Sequence, residues 1–403
     1  MNSLELFSGA GGLAKGLALA GFDHSAFVEF NKYACDSLYE NYDRDKVFFG
    51  DIRDYNFEAL SNIDIVAGGP PCQPFSLGGK HKANNDHRDM FPYAIKAIEK
   101  LSPKAFVFEN VKGLLRASFH DYFEYIILRL TFPGHTNKYS DWADHLTSLR
   151  EFDPQIYGGI RYKVKYKLLN AADYGVPQCR ERVVIVGVRS DIENEFHYPT
   201  PSHSEDRLIW DKFNTGTYWD KHNIPRKHRK LPLYHALNKI KSVNARYGLW
   251  EPPLLPWVTI RDVLGKLPDP REVHSILDHI FRDNAKCYPG HTGSEIDWPA
   301  KTIKAGGHGV PGGENMMRFP DGTVRYFTVH EAKLIQTFPS DYIIKGAWGE
   351  ALRQIGNAVP VLLARKIGNE LEKTLMKPTK REQIKPRKTK THHKQEIAYE
   401  YAA

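Results

Sequence analysis

Cysteine is scarce in this chain, and the absence of cysteine pairs limits its chemistry. The 403 residues include four cysteines, which are far apart and form no C-x-x-C pair. This excludes a disulfide framework and a zinc site of the usual spacing, so no metal is expected. It also favours a reducing cytoplasm as the location of the protein. Long apolar runs and a secretory signal are missing too, so we expect neither a membrane span nor export.

Acidic residues are missing from two stretches that are rich in lysine and arginine. Residues 377–394 contain eight Lys or Arg and one acid, and so carry most of the net charge of +8. This composition predicts a basic, disordered tail over 377–403, which by itself is weak evidence for a nucleic-acid partner. Residues 221–246 also contain eight Lys or Arg but no acid, with histidines and aromatics interleaved. That run is the better indication of a nucleic-acid surface.

The first 110 residues alternate strand-like and helix-like stretches. This rhythm predicts an α/β fold with a doubly wound, mostly parallel, Rossmann-like sheet and with ligands at the carboxyl ends of its strands. Residues 131–160 are irregular and polar, so we predict a long loop there. From about residue 198 the rhythm breaks, and frequent Pro, Gly, His and Trp predict a smaller, loop-rich domain. We divide the chain into a first domain over 1–197, a second domain and hinge over 198–327, a return to the first domain over 328–376, and the tail.

A glycine-rich turn follows the first predicted strand. Gly9, Gly11 and Ala14 fit the pattern G-x-G-x-x-A, and Glu29 ends the second predicted strand. This spacing is typical of a site for an adenosine-containing cofactor, because the glycines let the backbone approach the ligand and the carboxylate binds ribose hydroxyls. NAD and S-adenosylmethionine both remain open, as does a turn that the glycines merely tighten. Asp51 ends the third strand and either accepts from an adenine amino group or caps a turn.

Cys72 lies in an unusual setting for a free cysteine. The apolar run 63–67 leads into Gly68-Gly69-Pro70-Pro71-Cys72-Gln73-Pro74-Phe75-Ser76. The glycines allow the chain to turn and the prolines stiffen it, which presents the thiol on a rigid corner at the end of a strand. Free cysteines are more often small buried hydrophobes, but this setting favours a nucleophile. A thiol of ordinary pKa then needs positive charge nearby, or a substrate that is activated as it is attacked.

Two further groups follow at the ends of later strands. Glu109, in Phe108-Glu109-Asn110-Val111, should share the rim of the sheet with Cys72, where a carboxyl group withdrawn from water can act as a proton donor. A surface glutamate that caps the next segment is the alternative. Gln178, Arg180 and Arg182 share one face if they lie on a strand, where the arginines could hold phosphates or polarise a carbonyl oxygen. A salt-bridged edge strand is the alternative, and Cys179 on the other face should be structural.

Taken in order, these stretches resemble the DNA (cytosine-5) methyltransferases. The resemblance covers residues 3–376 apart from the variable stretch 198–297. Glu5 stands where the family often has Asp, and residues 131–160 and the tail have no clear counterpart. The matching motifs are ELFSGAGGL, Glu29, GDI at 50–52, GGPPCQPFS, FENV at 108–111, QCRER at 178–182, WPAKTI at 298–303, HEAKLIQTFP at 330–339 and QIGNAVP at 354–360.

The resemblance implies a mechanism. Cys72 would attack carbon 6 of a cytosine flipped out of duplex DNA, while Glu109 protonates the ring nitrogen and Arg182 lies near the ring oxygen. Carbon 5 would then take the methyl group of S-adenosylmethionine, which leaves S-adenosylhomocysteine. The implied catalytic set is Cys72, Glu109, Asn110, Gln178, Arg180 and Arg182.

The resemblance also implies where the ligands bind. The cofactor would contact Phe7, Gly9, Ala10, Gly11, Gly12, Glu29, Phe30, Asp51, Ile52, Pro71, Asn357, Ala358 and Val359. DNA would contact a mobile loop over 73–90 and the basic run, through Ser76, Lys80, Lys82, Arg226, Lys227, Arg229 and Lys230. The last helix should pack beside the first strand. The implied enzyme is a bacterial or phage modification enzyme, monomeric on double-stranded DNA, with a cognate restriction endonuclease as a possible partner.

Three other functions remain open from the residues. The same chemistry on transfer RNA is the nearest, since one branch of the family acts there, although the basic variable domain favours DNA. A catalytically silent DNA-binding protein would leave the intact Cys72, Glu109 and Arg182 unexplained. An NAD oxidoreductase would explain the glycines and Glu29 but would leave Cys72 and Gln178 unused.

Overall fold

The computed structural model describes residues 1–71, 89–135, 141–229, 234–289, 291–305 and 315–376. Five of the predicted site residues, and the predicted tail, lie outside these ranges. They are Cys72, Ser76, Lys80, Lys82 and Lys230.

A seven-stranded sheet forms the centre of the molecule, in the order β3-β2-β1-β4-β5-β7-β6. The first five strands along the chain pair in parallel, whereas β7 is antiparallel to both β5 and β6. The predicted doubly wound, mostly parallel sheet is therefore confirmed. The strands are β1 (Asn2–Leu6), β2 (Asp23–Glu29), β3 (Val47–Phe49), β4 (Ile65–Gly68), β5 (Ala105–Val111), β6 (Tyr162–Asn170) and β7 (Glu181–Arg189).

Helices cover both faces of this sheet because its buried strands are apolar on both sides. Val66 and Phe106 belong to a core that also contains α3, α4 and α5, whereas the neighbouring Ala67 and Val107 belong to a core that contains α1 and α12. The helices that cover the two faces are α1 (Gly12–Ala18), α2 (Lys32–Asn41), α3 (Phe91–Leu101), α4 (His120–Thr131), α5 (Trp142–Glu151) and α12 (Val361–Met376).

The last helix returns to the beginning of the chain, but it packs on α1 rather than directly beside β1. A Cβ atom at Gly16 would lie 2.3 Å from the Cβ atom of Ala364, and one at Gly368 would lie 2.7 Å from the Cβ atom of Ala20. Glycine therefore permits close contact between the two helices. This contact brings residues 357–359 next to the glycine-rich turn.

The prediction of a long loop over 131–160 is wrong for residues 142–151, which form α5. Asp141 caps this helix by accepting from the backbone amide of Ala143. Leu146 and Leu149 are buried in the core that contains α4. Tertiary packing of this short apolar face, rather than a long periodic pattern, stabilises the helix.

The described part of the region 198–327 contains four α-helices between its loops. They are α6 (Glu205–Phe213), α7 (Thr217–Lys221), α8 (Tyr234–Tyr247) and α9 (Ile260–Leu264). The described part of the region also has short strands that pair locally: β8 (His203–Ser204), β9 (Leu255–Pro256), β10 (Ser294–Glu295), β11 (Met316–Arg318) and β12 (Val324–Tyr326). The helices are short or carry polar outer faces, which obscured their period in the sequence.

Two more helices precede α12. A capping box begins α10 (Val329–Ile335), where Thr328 and Glu331 exchange hydrogen bonds with each other's backbone amides. Helix α11 (Trp348–Asn357) was not predicted, because its apolar residues are interrupted by Glu350 and Arg353. None of the helices in the described ranges is long and apolar enough to cross a membrane.

Candidate active site

One cavity of about 660 Å³ lies at the carboxyl ends of the parallel strands. Residues that follow β1, β2, β3 and β4 line it, together with residues from β5 and from the end of α11. The strand order reverses direction between β1 and β4, and ligands of doubly wound sheets bind at such a switch point. The volume suits a cofactor-sized molecule.

The glycine-rich turn forms one wall of this cavity through Phe7, Gly9 and Gly12. Phe7 and Gly9 both have positive φ angles, which for Phe7 is a strained conformation of the kind found at functional sites. A Cβ atom at Gly12 would lie 2.4 Å from the carbonyl oxygen of Val359, so glycine is needed where the two ends of the chain meet. Ala10 and Gly11 do not line the cavity, and the Ala10 carbonyl instead accepts from the hydroxyl of Tyr342.

Glu29 lies beneath this turn and organises it. Its two carboxylate oxygens accept from the backbone amides of Gly9, at 2.7 Å, and Asn31, at 2.8 Å. Burial raises the pKa of Glu29, and the amides of Asn31 and Gly9 oppose that rise. The carboxylate faces the cavity and has lone pairs left for further donors.

The adjoining wall contains Phe30, Asp51 and Ile52, as the resemblance implies. Phe30 is exposed, with an unhindered ring, while Ile52 is buried. Arg53, which the sequence analysis missed, binds both carboxylate oxygens of Asp51, at 2.9 and 2.6 Å. The hydrogen bond from the Arg53 side chain lowers the pKa of Asp51. Asp51 is therefore ionised and still available to one further donor.

The corner that precedes Cys72 lies beside Glu109. A Cβ atom at Gly69 would lie 3.6 Å from the Oε2 atom of Glu109. Asn110 donates from its Nδ2 atom to the carbonyl of Pro70 at 3.0 Å, which ties β5 to the corner. Pro71, the residue bonded to Cys72, lines the cavity. The structure thus places Glu109 and Asn110 next to the described part of this corner, while Cys72 itself lies outside the described residues.

Arg182 pairs with Glu109 at the inner end of the cavity. The Arg182 Nε atom lies 2.6 Å from the Glu109 Oε1 atom, and the side chains are only 14% and 11% exposed. The two residues lie on β7 and β5, which are antiparallel neighbours in the sheet. An ion pair in such a water-poor place is strong, and it leaves donors of Arg182 available to a ligand.

Gln178 and Arg180 do not lie on a strand with Arg182, because β7 begins at Glu181. Gln178 is fully buried outside the cavity lining, and its Oε1 atom accepts from the amide of Ile303 at 3.2 Å. Arg180 lines the cavity but is 1% exposed, and it donates to the carbonyls of Ile303 and Gly356. Burial and the nearby Arg182 charge lower the pKa of Arg180 well below its ordinary value.

The other cysteines of the chain do not resemble nucleophiles. Burial raises the pKa of Cys35 and of Cys179 to about 12, so both remain thiols at neutral pH. Cys287 is exposed and does not line this cavity.

The basic run is less positive than its sequence indicates. Arg226 and Lys227 lie in an exposed turn, but Arg229 pairs with Asp220. Lys221 pairs with Asp262 at 2.6 Å, and further pairs join Lys239 to Glu205 and Arg246 to Asp206. Asp220 directly precedes the run in the sequence, whereas the other three acids lie farther from it and are brought against it by the fold. Among the predicted DNA-contacting residues that the structure describes, Arg226 and Lys227 are therefore better candidates for phosphate contacts than Arg229.

Several residues of the cavity were not predicted. Arg353 and Gln354 precede Asn357 by about one turn of α11, and their spacing on that helix would have revealed them if the helix had been predicted. Glu5 also lines the cavity; its Oε1 atom accepts from Ser3 and lies 3.2 Å from the Nδ1 atom of His24. Asn357, Ala358 and Val359, which were predicted, close the cavity from the far end of the chain.

These features define a doubly wound α/β protein with a cofactor-sized cavity at its switch point and an acid–arginine pair beside a proline-stiffened corner. The chain belongs to the C-5 cytosine-specific DNA methylase family, whose model matches residues 1–373. Membership of this family implies S-adenosylmethionine as the methyl donor.

Similar proteins agree with this membership. The chain is 30% identical over 380 residues to the Type II methyltransferase M.NgoMIV of Neisseria gonorrhoeae, covering 93% of this chain and 98% of the relative. It is 31% identical to the Type II methyltransferase M.Eco47II of Escherichia coli, covering 94% of this chain and 80% of the relative.

Solved structures share the fold at low sequence identity. The S. pombe Dnmt2 methyltransferase superimposes with a TM-score of 0.55 at 17% identity, over 94% of this chain and 99% of the other. A Spodoptera frugiperda DNMT2 variant gives a TM-score of 0.54 at 16% identity, over 93% and 99%.

Proposed function

We propose that this protein transfers a methyl group from S-adenosylmethionine to carbon 5 of a cytosine in double-stranded DNA, at a specific sequence. The observation that carries the proposal is the meeting of the Glu109–Arg182 pair with the Gly68–Pro71 corner at one cavity. In that arrangement, an acid and a cation lie beside the corner that leads to Cys72, where all three groups could act on one cytosine ring.

Cys72 is the proposed nucleophile. Its sulfur would bond to carbon 6 of a flipped cytosine, which makes carbon 5 electron-rich. After carbon 5 has been methylated, loss of its proton to a base restores the ring double bond and expels the Cys72 sulfur. Pro70 and Pro71 restrict the backbone conformation that leads to Cys72, which reduces the conformational freedom that the thiol must lose before it attacks.

Glu109 and Arg182 are proposed to activate the ring. Glu109 takes up a proton before the attack and delivers it to the ring nitrogen as the thiolate adds, which avoids the build-up of a ring anion and leaves Glu109 again as the carboxylate that pairs with Arg182. Arg182 donates to the ring oxygen and holds Glu109 in orientation through the contact at 2.6 Å. Asn110 fixes the distance between this acid and the corner through its bond to Pro70.

The cavity residues fit S-adenosylmethionine. That molecule, when bound, supplies the methyl group that carbon 5 receives. Glu29 would accept from the ribose hydroxyls, Phe30 would contact the adenine ring, and Asp51 with Ile52 would bind its edge. Gly9, where a Cβ atom would have no neighbour within 4 Å, leaves room for the ligand beside the backbone, and Asn357 with Val359 close the opposite side.

The DNA and the cellular setting are part of the proposal. Arg226 and Lys227 would contact phosphates, so binding should weaken as salt rises. The names of the Type II relatives favour a restriction-modification system in a bacterial cytoplasm, with a cognate endonuclease that recognises the same site. We propose that residues 198–327 recognise the target and that the protein acts as a monomer.

One assay tests this function directly. The purified chain is incubated with labelled S-adenosylmethionine and either unmethylated duplex DNA or transfer RNA, and 5-methylcytosine is mapped by bisulfite sequencing. Label in DNA at one recurring sequence is expected. Label in transfer RNA alone, or no label in either at any salt concentration, would contradict the proposal.

Cysteine variants test the nucleophile. Cys72→Ala should abolish turnover and covalent trapping on 5-fluorocytosine DNA, while S-adenosylhomocysteine still binds. Cys287→Ala is the matched control, since this exposed cysteine does not line the cavity, and its turnover should equal that of the wild type. Turnover by Cys72→Ala would refute the assignment.

A further inference from the structure

Arg180 differs from Arg182 in its surroundings, although both belong to the same short motif. Arg180 is 1% exposed and is the largest of the fully buried side chains in the described residues. Within those residues it has no carboxylate partner in an ion pair, whereas Arg182 pairs with Glu109. In the described residues its guanidinium donates to two backbone carbonyl groups, through Nη1 and Nη2, while its Nε atom has no hydrogen-bond partner.

The two carbonyls that Arg180 binds belong to segments far apart in the sequence. The Nη2 atom of Arg180 donates to the carbonyl of Gly356 at 2.7 Å, and its Nη1 atom donates to that of Ile303 at 3.3 Å. Gly356 immediately precedes Asn357, which lines the cofactor cavity. One guanidinium therefore fixes the peptide that leads into the cofactor wall.

The segment 300–305 lies between residues 177–179 on one side and Gly356 on the other. Hydrogen bonds join it to residues 177–179: the amide of Ala300 donates to the Pro177 carbonyl at 2.9 Å, and the Thr302 hydroxyl donates to the Cys179 carbonyl at 2.8 Å. On its other side, a Cβ atom at Gly356 would lie 2.7 Å from the carbonyl carbon of Lys304. Gly356 therefore has no space to move towards this segment, and its hydrogen bond to Arg180 prevents it from moving away.

We infer that Arg180 is a positioning residue, which sets the cofactor-binding wall at 357–359 by clamping Gly356 to Ile303, and that it does not contact the reacting cytosine. This inference rests on the proposed function and assigns Arg180 a role different from the catalytic role that the resemblance implies. Arginine is required because two separate nitrogens must reach two carbonyls, which a single lysine ammonium cannot do in the same geometry.

The test separates cofactor binding from chemistry. Arg180→Lys is compared with wild type by calorimetric titration with S-adenosylhomocysteine in the absence of DNA, and by steady-state methylation with varied S-adenosylmethionine. We expect the Kd and the KM for the cofactor to rise tenfold or more, while kcat at saturating cofactor falls less than tenfold. Arg182→Lys should show the opposite split, with kcat reduced and Kd unchanged.

Control variants keep the outcome interpretable. Arg189→Lys alters an arginine that donates to the Ser102 carbonyl at the other end of β7, and its Kd should match wild type. Thr302→Val removes one hydroxyl bond from the same junction and should raise Kd two- to fivefold, which provides a milder variant if Arg180→Lys does not fold.

Two results would overturn the inference. One is a Kd of Arg180→Lys, or of Thr302→Val if the first variant is unfolded, within experimental error of wild type. The other is a large loss of kcat for Arg180→Lys with Kd unchanged, which would make Arg180 a catalytic residue. Failure of the wild type itself to bind S-adenosylhomocysteine would instead contradict the proposed function.

Discussion

Replacement of Gly12 by alanine should damage the cofactor site by a single methyl group. The added Cβ atom would lie 2.4 Å from the Val359 carbonyl oxygen and 2.9 Å from the Cβ atom of Ala358. Gly12 begins α1, while Ala358 and Val359 join α11 to α12. The clash therefore falls where the first and last parts of the chain form one wall of the cavity.

The size of the effect follows from this geometry. A carbon and an oxygen atom in ordinary contact are roughly 3.4 Å apart, so the Val359 peptide or α1 must retreat by about 1 Å. Extra methyl groups in packed interiors usually cost ~1–3 kcal/mol. If the Val359 side carries the movement, the cofactor loses a similar amount of binding free energy, which corresponds to a weakening of roughly 5- to 150-fold.

Calorimetric titration with S-adenosylhomocysteine and thermal unfolding measure the two parts of the effect. Gly349→Ala is the matched control, because it also places alanine in the first turn of a helix but has no atom within 4 Å of the new Cβ. It should bind normally and be at least as stable as the wild type, since alanine favours helix by ~1 kcal/mol. If Gly12→Ala also binds normally with an unchanged melting temperature, the packing argument is wrong.

Three further predictions concern other parts of the molecule. Burial raises the pKa of Glu29, and ribose hydroxyls need its ionised form, so S-adenosylhomocysteine should bind more weakly as the pH falls, beginning above the ordinary glutamate pKa of ~4.3. In binding titrations, Glu29→Gln should bind at least tenfold more weakly than the wild type at pH 7 and should lose this pH dependence. Burial lowers the pKa of His145 to about 4, below an unfolded value of ~6.5, so its contribution to stability is complete above pH 6.5 and is lost as the pH falls to about 4. Over that pH range, the unfolding free energy of the wild type in urea should fall by about 3 kcal/mol relative to that of His145→Gln. An equal change of unfolding free energy with pH in both proteins would contradict this prediction. Thr328→Ala should lose ~1 kcal/mol of unfolding free energy with the capping box, while Thr328→Ser retains most of it, as denaturant melts would measure.

The sequence predicts the position of a residue in the fold well where that residue ends or follows a strand. Glu29, Asp51 and Glu109 each follow or end an apolar run, and the carboxyl ends of parallel strands necessarily lie at one edge of a sheet. The capping box of Thr328 and Glu331 is likewise a local pattern, because its two residues are three positions apart in the sequence. Such features need no knowledge of distant contacts.

Features that depend on distant contacts could not be predicted in this way. The Arg182–Glu109 pair joins residues 73 positions apart through an antiparallel register that the βα rhythm does not specify. Asp206 and Asp262 neutralise part of the basic run only because α6 and α9 fold against it. Helix α5 depends on burial against α4 rather than on a strong period of its own.

The different surroundings of Arg180 and Arg182 explain how one short motif can serve two tasks. Arg182 follows the first residue of β7, so the sheet pairs it with Val111, and its side chain reaches Glu109 two residues away on the same face of β5. Arg180 precedes the strand, where its own amide and carbonyl bond Asn170 and Ala171 and its side chain turns towards Gly356. The two-residue spacing thus spans the change from loop to strand. Insertion of one residue between them would shift the register of Arg182 and reverse its face of the sheet, while Arg180 could remain in place.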